Sequence, residues 1–170
     1  MPRQCLLPAA VSSLLGEFTV EVTPKEVRKD PGLLADVLPA GTRVYTTFLP
    51  ATPFGDTVAA AAALADQGLR PVPHLAARSV ASEAELDRMV GQLAAAGADE
   101  LLVIGGSVGT PAGTITESMQ VLRSGVLERH GIRRVGMAGH PEGNPDIGDR
   151  ALAAAIEQKN AFAADTGTQM

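Results

Sequence analysis

The segment "PVPHLAARSVASEAELDRMVGQLAAAGADELLVIGG", residues 71–106, decides the fold because it contains two strand patterns joined by one helix pattern. Residues 71–77 are a short, mostly apolar run, and residues 100–106 are a second run that ends in glycine. Between them, Ser82 is placed as an N-cap with Glu85 three residues later, a capping-box arrangement that begins a helix. A strand, a helix and a strand in this order predict two parallel neighbours joined by a crossover helix.

The same alternation continues on both sides of this segment. The further strand patterns lie at residues 18–23, 42–48 and 133–139. The further helix patterns lie at residues 31–38, 56–68, 114–130 and 146–165. Five successive β-then-α units predict an α/β protein with a parallel sheet, and both a closed barrel and an open doubly wound sheet fit them. A complete barrel needs eight strands and roughly 250 residues.

The composition limits the class of protein. The 170 residues suit one domain spanning 1–170, and the net charge of −5 argues against general nucleic-acid binding. The single cysteine, Cys5, excludes a disulfide framework or a thiolate metal site within one chain. The apolar stretch at residues 5–15 is too short and too broken to span a bilayer. We therefore expect a cytoplasmic domain that does not bind membranes.

Polar residues and glycines follow the predicted strands at the ends where parallel α/β proteins bind ligands. These are Glu21, Thr47 and Phe48, His74, Gly105 with Gly106 and Ser107, and His140 with Asn144. Each has an ordinary explanation: a strand glutamate often faces solvent, a lone histidine is often structural, and paired glycines often make a turn. Their recurrence at successive strand ends favours a binding site.

Several familiar chemistries lack their motifs. No H-x-H or H-E-x-x-H spacing supports a zinc site, and Ser107 does not stand in a G-x-S-x-G elbow. Residues 105–113, "GGSVGTPAG", lack the Gly-Lys-Ser/Thr ending of a Walker loop. Their glycines nevertheless allow the backbone to approach a phosphate or a flat ring closely.

Taken in order, these strand ends resemble the methylenetetrahydrofolate reductase family. The matching motifs are "VEVTP" (20–24), "VYTTF" (44–48), "VPHL" (72–75), "VIGGS" (103–107) and "AGHPEGNP" (138–145). The resemblance implies a TIM-type (β/α)8 barrel, of which this chain carries about the first five units. It also implies FAD as cofactor, NAD(P)H as co-substrate and the interconversion of 5,10-methylenetetrahydrofolate and 5-methyltetrahydrofolate.

The resemblance also implies residue roles. Glu21 corresponds to the family's general acid, and Lys159 falls near a basic residue that meets the cofactor phosphates. The other positions implied to contact the cofactor are Thr47, Phe48, His74, Gly105, Gly106, Ser107, His140 and Asn144. The apolar neighbours Val20 and Val22 are expected to help desolvate the Glu21 carboxyl.

The chain departs from the family pattern at four of these positions. Ser107 replaces an aspartate, Gly105 an arginine, His140 a tyrosine and Asn144 a histidine. The loss of the aspartate leaves less negative charge to stabilise a cationic intermediate. Two other classes therefore stay open: a non-catalytic flavin- or folate-binding protein, and a flavin-free lyase or aldolase using Glu21 and His74 as acid and base.

The family barrel has three more strands than the pattern provides here. Residues 166–170, "TGTQM", have no β-branched run before them, and we interpret them as the loop preceding a sixth strand. An open five-stranded sheet exposes an unpaired edge. We therefore expect either that the chain belongs to a longer protein or that two chains, as a homo-oligomer, complete one barrel.

Overall fold

Strands and helices alternate along residues 18–30, 32–50 and 52–170, the residues that the computed structural model describes. The strands are β1 (Val20–Val22), β2 (Arg43–Thr46), β3 (Arg70–Ala76), β4 (Glu100–Ile104) and β5 (Arg134–Met137). The helices are α1 (Pro24–Lys29), α2 (Leu33–Val37), α3 (Phe54–Asp66), α4 (Glu83–Ala95), α5 (Ser118–Arg123), α6 (Val126–Arg129) and α7 (Asp149–Thr166). No helix within these ranges is long and apolar enough to cross a membrane.

The strands form one parallel sheet in the order β1-β2-β3-β4-β5. The register places Glu21 beside Tyr45 and His74 beside Leu102. The predicted α/β class and the five parallel strands are confirmed. Closure into a barrel stays a prediction.

One face of the sheet packs against the helices. Because side chains alternate between the faces of a strand, Val44 on β2 and Leu75, Leu101 and Val135 on the later strands share this face. They contact the apolar sides of α3 and α4, where Leu64, Leu86, Val90 and Leu93 are fully buried. The opposite face, called the site face below, carries Glu21, Tyr45, His74, Leu102 and Ile104.

The first crossover contains a helix that was not predicted. The Thr23 hydroxyl accepts a hydrogen bond from the Glu26 backbone N–H at 3.2 Å, and the Glu26 carboxylate accepts one from the Thr23 N–H at 2.7 Å. This capping box, with Pro24 in the first turn, begins α1. The predicted helix at 31–38 is real but shorter, at Leu33–Val37.

The predicted helix at 114–130 is wrong in its continuity. Two short helices, α5 and α6, replace it, and the break lies at Gly125, whose φ is +69°. A left-handed residue cannot continue a right-handed helix, and glycine adopts that conformation at little cost.

Residues 166–170 do more than form a loop. Gln169 makes a parallel bridge to Arg134, and its backbone carbonyl accepts a hydrogen bond from the Val135 N–H at 2.9 Å. The Gln169 side chain also accepts from Arg134 Nε at 3.0 Å. Gln169 therefore pairs with the edge of β5 that faces away from β4. A sixth parallel strand would occupy the same position.

Candidate functional site

Three polar side chains form a cluster on the site face of β1, β2 and β3. The rings of Tyr45 and His74 pack edge to face, with centroids 6.0 Å apart and planes inclined by 71°. Glu21 is exposed, and its charge reaches His74. The structure therefore places the predicted acid and the predicted strand-three histidine on the same face of the sheet, without a hydrogen bond or ion pair between them.

Burial controls the protonation of His74. Desolvation lowers the pKa of the His74 imidazole below its ordinary value, and the negative charge of Glu21 only partly opposes that shift. His74 Nε2 is buried and has no hydrogen-bond partner among the described residues. Buried polar atoms are nearly always satisfied, so this unpartnered nitrogen is an exception that a bound water or ligand would account for.

The expected desolvation of Glu21 by its neighbours is not observed. Val20 and Val22 pack against the helix-side cluster of Val44 and Leu64, whereas Glu21 lies on the opposite face. Alternation along a strand separates residue i from i ± 1, so these valines cannot cover the carboxylate.

An ion pair lies beside this cluster, toward the amino ends of the strands. Arg43 approaches the nearly buried Glu100 at 3.7 Å. Burial and the Glu100 charge raise the pKa of the Tyr45 phenol, and Arg43 opposes the shift. Tyr45 is therefore a neutral packing partner of His74 at physiological pH.

Thr47 and Phe48 follow β2 at the same edge of the sheet. The Thr47 backbone N–H donates to the Val22 carbonyl at 2.9 Å, and its hydroxyl donates to the same carbonyl at 3.4 Å. Phe48 is half-buried. The Thr47 hydroxyl is thus engaged with the backbone and holds the ends of β1 and β2 together.

A cavity of about 430 Å³, called the main cavity below, opens at the carboxyl ends of β4 and β5. Its walls are those strand ends, the start of α5 and one side of α7. The predicted residues that line it are Gly105, Gly106, His140 and Lys159. An adjoining cavity of about 500 Å³ shares three of these and adds Ser107 and Asn144. Neither cavity is lined by Glu21, Thr47, Phe48 or His74.

The two glycines after β4 have different constraints. Gly106 has a φ of +91°, and a Cβ there would lie 3.2 Å from the Cβ of Ala76. Gly105 has no atom within 4 Å of the position of a Cβ. Gly106 is therefore required by the backbone, whereas Gly105 leaves open space beside the cavities.

The "GHPEGNP" segment is a rigid polar turn at the end of β5. His140 has a φ of +47°, the only non-glycine residue with positive φ among the described residues. The Asn144 side-chain oxygen accepts from the Asp146 N–H at 2.9 Å, and the Asn144 amide nitrogen lies 3.5 Å from His140 Nδ1. The turn fixes His140 in the walls of both cavities, at the cost of backbone strain.

Lys159 on α7 is unusual because its side chain is buried. The residue is only 7% exposed, and desolvation lowers the pKa of its ammonium group. It forms no ion pair or side-chain hydrogen bond with any residue that the structure describes. Its nitrogen is not among the fully buried atoms without a partner, so the buried stem carries to the main cavity a charge that no ion pair compensates.

Sequence reasoning missed Arg78, which lines both cavities. It lies in the 3₁₀ turn Ala77–Ser79, directly after β3. The sequence contains one signal that could have identified Arg78: it is a basic residue four positions after His74, just beyond the end of a strand. Within the described ranges, no group of three or more His, Cys, Asp or Glu residues could hold a metal ion.

No protein-family model matches this chain.

Proposed function

We propose that this chain is the core of a flavin- and folate-dependent oxidoreductase of one-carbon metabolism. It interconverts 5,10-methylenetetrahydrofolate and 5-methyltetrahydrofolate through FAD and NAD(P)H. The observation that carries the proposal is the placement of Glu21 on the same face of the sheet as a neutral, unpartnered His74. The two cavities at the ends of β4 and β5, lined by glycines and cations, provide space for a cofactor.

The strand order supports a barrel arc as the scaffold. A doubly wound sheet reverses its strand order at a switch point, where it binds its ligand. The observed order runs from β1 to β5 without reversal, with the helix-side core on one face. That arrangement is the one expected of consecutive (β/α)8 units, whose polar strand ends face one rim.

The residues present fit a dinucleotide of the FAD type. The two cavities, of about 430 and 500 Å³, lie in the usual size range of small-molecule sites, about 300–1,000 Å³. Gly105, where no atom lies within 4 Å of a Cβ position, permits close approach of a flat ring, and Lys159, which has no ion-pair partner, suits a phosphate. When bound, FAD would supply the hydride that reduces the one-carbon unit.

Glu21 is the proton donor in this proposal. Its carboxyl would protonate the bridging nitrogen of 5,10-methylenetetrahydrofolate. The bond from that nitrogen to the methylene carbon then breaks, its electron pair stays on the nitrogen, and an iminium ion remains at N5. Because Glu21 is exposed, the bound substrate itself must exclude water from the carboxyl.

His74 contributes orientation. Its lowered pKa keeps the imidazole neutral at pH 7, so that one ring nitrogen donates and the other accepts a hydrogen bond. The Tyr45 ring fixes the imidazole from one side. A neutral imidazole also adds no positive charge beside the iminium carbon, which favours formation of that cation.

A flavin-free lyase is the second candidate function. The observation in its favour is that Glu21 and His74 lie on the same face of the sheet but outside both cavities. A carboxylate and a neutral imidazole on one face are sufficient for acid–base chemistry on a small carbonyl substrate.

The visible spectrum of the purified protein, with and without added FAD, tests the proposal. We expect a bound-flavin spectrum that bleaches anaerobically on addition of NADH or NADPH, or of 5-methyltetrahydrofolate. The Glu21→Gln variant should retain the flavin spectrum and the bleaching by nicotinamide but lose folate turnover by about 10²- to 10⁴-fold. If the protein binds no FAD, the reductase proposal is wrong and the lyase proposal remains.

A further inference from the structure

Arg78 is held in place by the loop that follows β4. Its backbone N–H donates to the Gly105 carbonyl at 2.9 Å, and its carbonyl accepts from the Ala112 N–H at 2.8 Å. Its side-chain Nη2 donates to the Gly109 carbonyl at 2.8 Å. The guanidinium is therefore positioned by three backbone contacts at the boundary of the two cavities.

The charge of Arg78 is not neutralised by the protein. Its Nε is buried without a hydrogen-bond partner, and Arg78 forms no ion pair with any described residue. In contrast, five other arginines lie within 4.0 Å of a carboxylate: Arg28, Arg43, Arg70, Arg88 and Arg129. Arg123, Arg133, Arg134 and Arg150 also form no ion pair; among the described arginines, only Arg78 has a buried Nε without a hydrogen-bond partner.

The acidic residues of the cavities do not compensate for it. Glu117 lines the main cavity, where its backbone N–H donates to Gln120 Oε1 at 3.1 Å and its backbone carbonyl accepts from the Gln120 N–H at 3.2 Å. Asp146 lines the adjoining cavity. Neither of these carboxylates lies within 4.0 Å of Arg78 or Lys159, so the main cavity contains two cations without ion-pair partners.

We propose that Arg78 binds a phosphate group of a dinucleotide, together with Lys159. The proposal rests on the proposed function and deepens it. A guanidinium matches phosphate oxygens with two parallel N–H donors, and a diphosphate would neutralise both uncompensated cations. Gly105, at the end of β4, carries no side chain and leaves space beside Arg78. Arg78, at the end of β3, therefore supplies a positive charge that position 105 does not.

The test compares Arg78→Gln with Arg78→Lys and with Arg123→Gln, an exposed arginine that lines neither cavity. Calorimetric titrations of the full chain would use inorganic pyrophosphate, FAD, NADH, NADPH and riboflavin, which lacks phosphate. We expect Arg78→Gln to weaken pyrophosphate and the dinucleotide at least tenfold and to leave riboflavin unchanged. Arg78→Lys should restore part of the affinity, and Arg123→Gln should bind as the parent does.

The titrations also separate the two sources of phosphate. If FAD affinity falls and NAD(P)H affinity does not, the bound diphosphate is that of the flavin; the reverse pattern assigns it to the nicotinamide nucleotide. If pyrophosphate binding depends on Arg78 but no flavin binds, the phosphate site stands and the flavin proposal fails. Unchanged affinities in Arg78→Gln, or an equal loss of riboflavin and FAD, would overturn the role of Arg78 while leaving a flavin enzyme intact.

Discussion

The rings of Tyr45 and His74 meet edge to face, 6.0 Å apart at their centroids, and so link neighbouring strands β2 and β3 on the site face. Aromatic pairs in this geometry stabilise by about 0.5–1.5 kcal/mol beyond their burial. The contact also removes water from the imidazole. Burial of the imidazole, of which this contact is a part, lowers the pKa of a candidate ligand-binding group.

Replacing Glu21 should lower the pKa of His74 still further. In Glu21→Gln the only charge among the described residues that raises the pKa of His74 is removed, whereas the burial that lowers it remains. NMR titration of the imidazole C–H signals, assigned with His74→Asn, measures the shift. The exposed Glu83→Gln is the matched control and should leave the His74 titration unchanged.

The stability of the fold should depend on pH through His74. Its folded pKa lies below the unfolded value, about 6.5, so the unfolded state binds more protons between the two values. The free energy of unfolding should therefore fall as the pH drops from about 6.5 through the folded pKa. Urea unfolding of the parent and of His74→Gln, at several pH values across this range, would measure the change in the free energy of unfolding with pH. An equal slope in both proteins would contradict the assignment to His74.

A methyl group at Gly113 should be strongly destabilising. A Cβ there would lie 2.0 Å from the backbone oxygen of Ala81, which cannot move independently of the chain. We expect Gly113→Ala to lower the free energy of unfolding by about 3 kcal/mol or more. The matched control, Gly55→Ala in α3, meets no atom within 4 Å and should raise stability by up to about 1 kcal/mol. Chemical denaturation gives both values.

The backbone strain at His140 can be measured by comparing glycine with alanine. Both variants remove the imidazole, but only glycine relieves the positive φ of +47°. We expect His140→Gly to be more stable than His140→Ala by about 1 kcal/mol, measured by thermal unfolding. If alanine were as stable as glycine, the turn would relax on substitution and would not be rigid.

The sequence predicts most of the elements but only part of the site. The period-two alternation around Glu21 is sufficient to place that residue and Val20 on opposite faces, and applying it strictly would have excluded the expected desolvation. The capping-box pattern of Thr23 and Glu26 is likewise present in the sequence and is sufficient to predict the start of α1. The break at Gly125 was less accessible, because glycine within a helical pattern is often tolerated.

The coupling of His74 to Tyr45, and the burial of Lys159, depend on how separate elements pack. Strand register and the path of α7 decide these contacts, and neither is encoded in local spacing. Arg78 was missed for the same reason. It lies outside a strand, and its significance comes from the loop after β4 and from α7, which complete the cavities around it.

The unbroken order of the sheet has a consequence for how the protein is made. Each strand pairs with the strand just before it in the chain, so a strand leaving the ribosome finds its partner already synthesised. Such nearest-neighbour pairing keeps each loop that must close to a single crossover, the least that parallel strands require, and parallel pairing still forms more slowly than local helical contacts. The sheet can grow by one strand and one helix at a time, in the direction of translation.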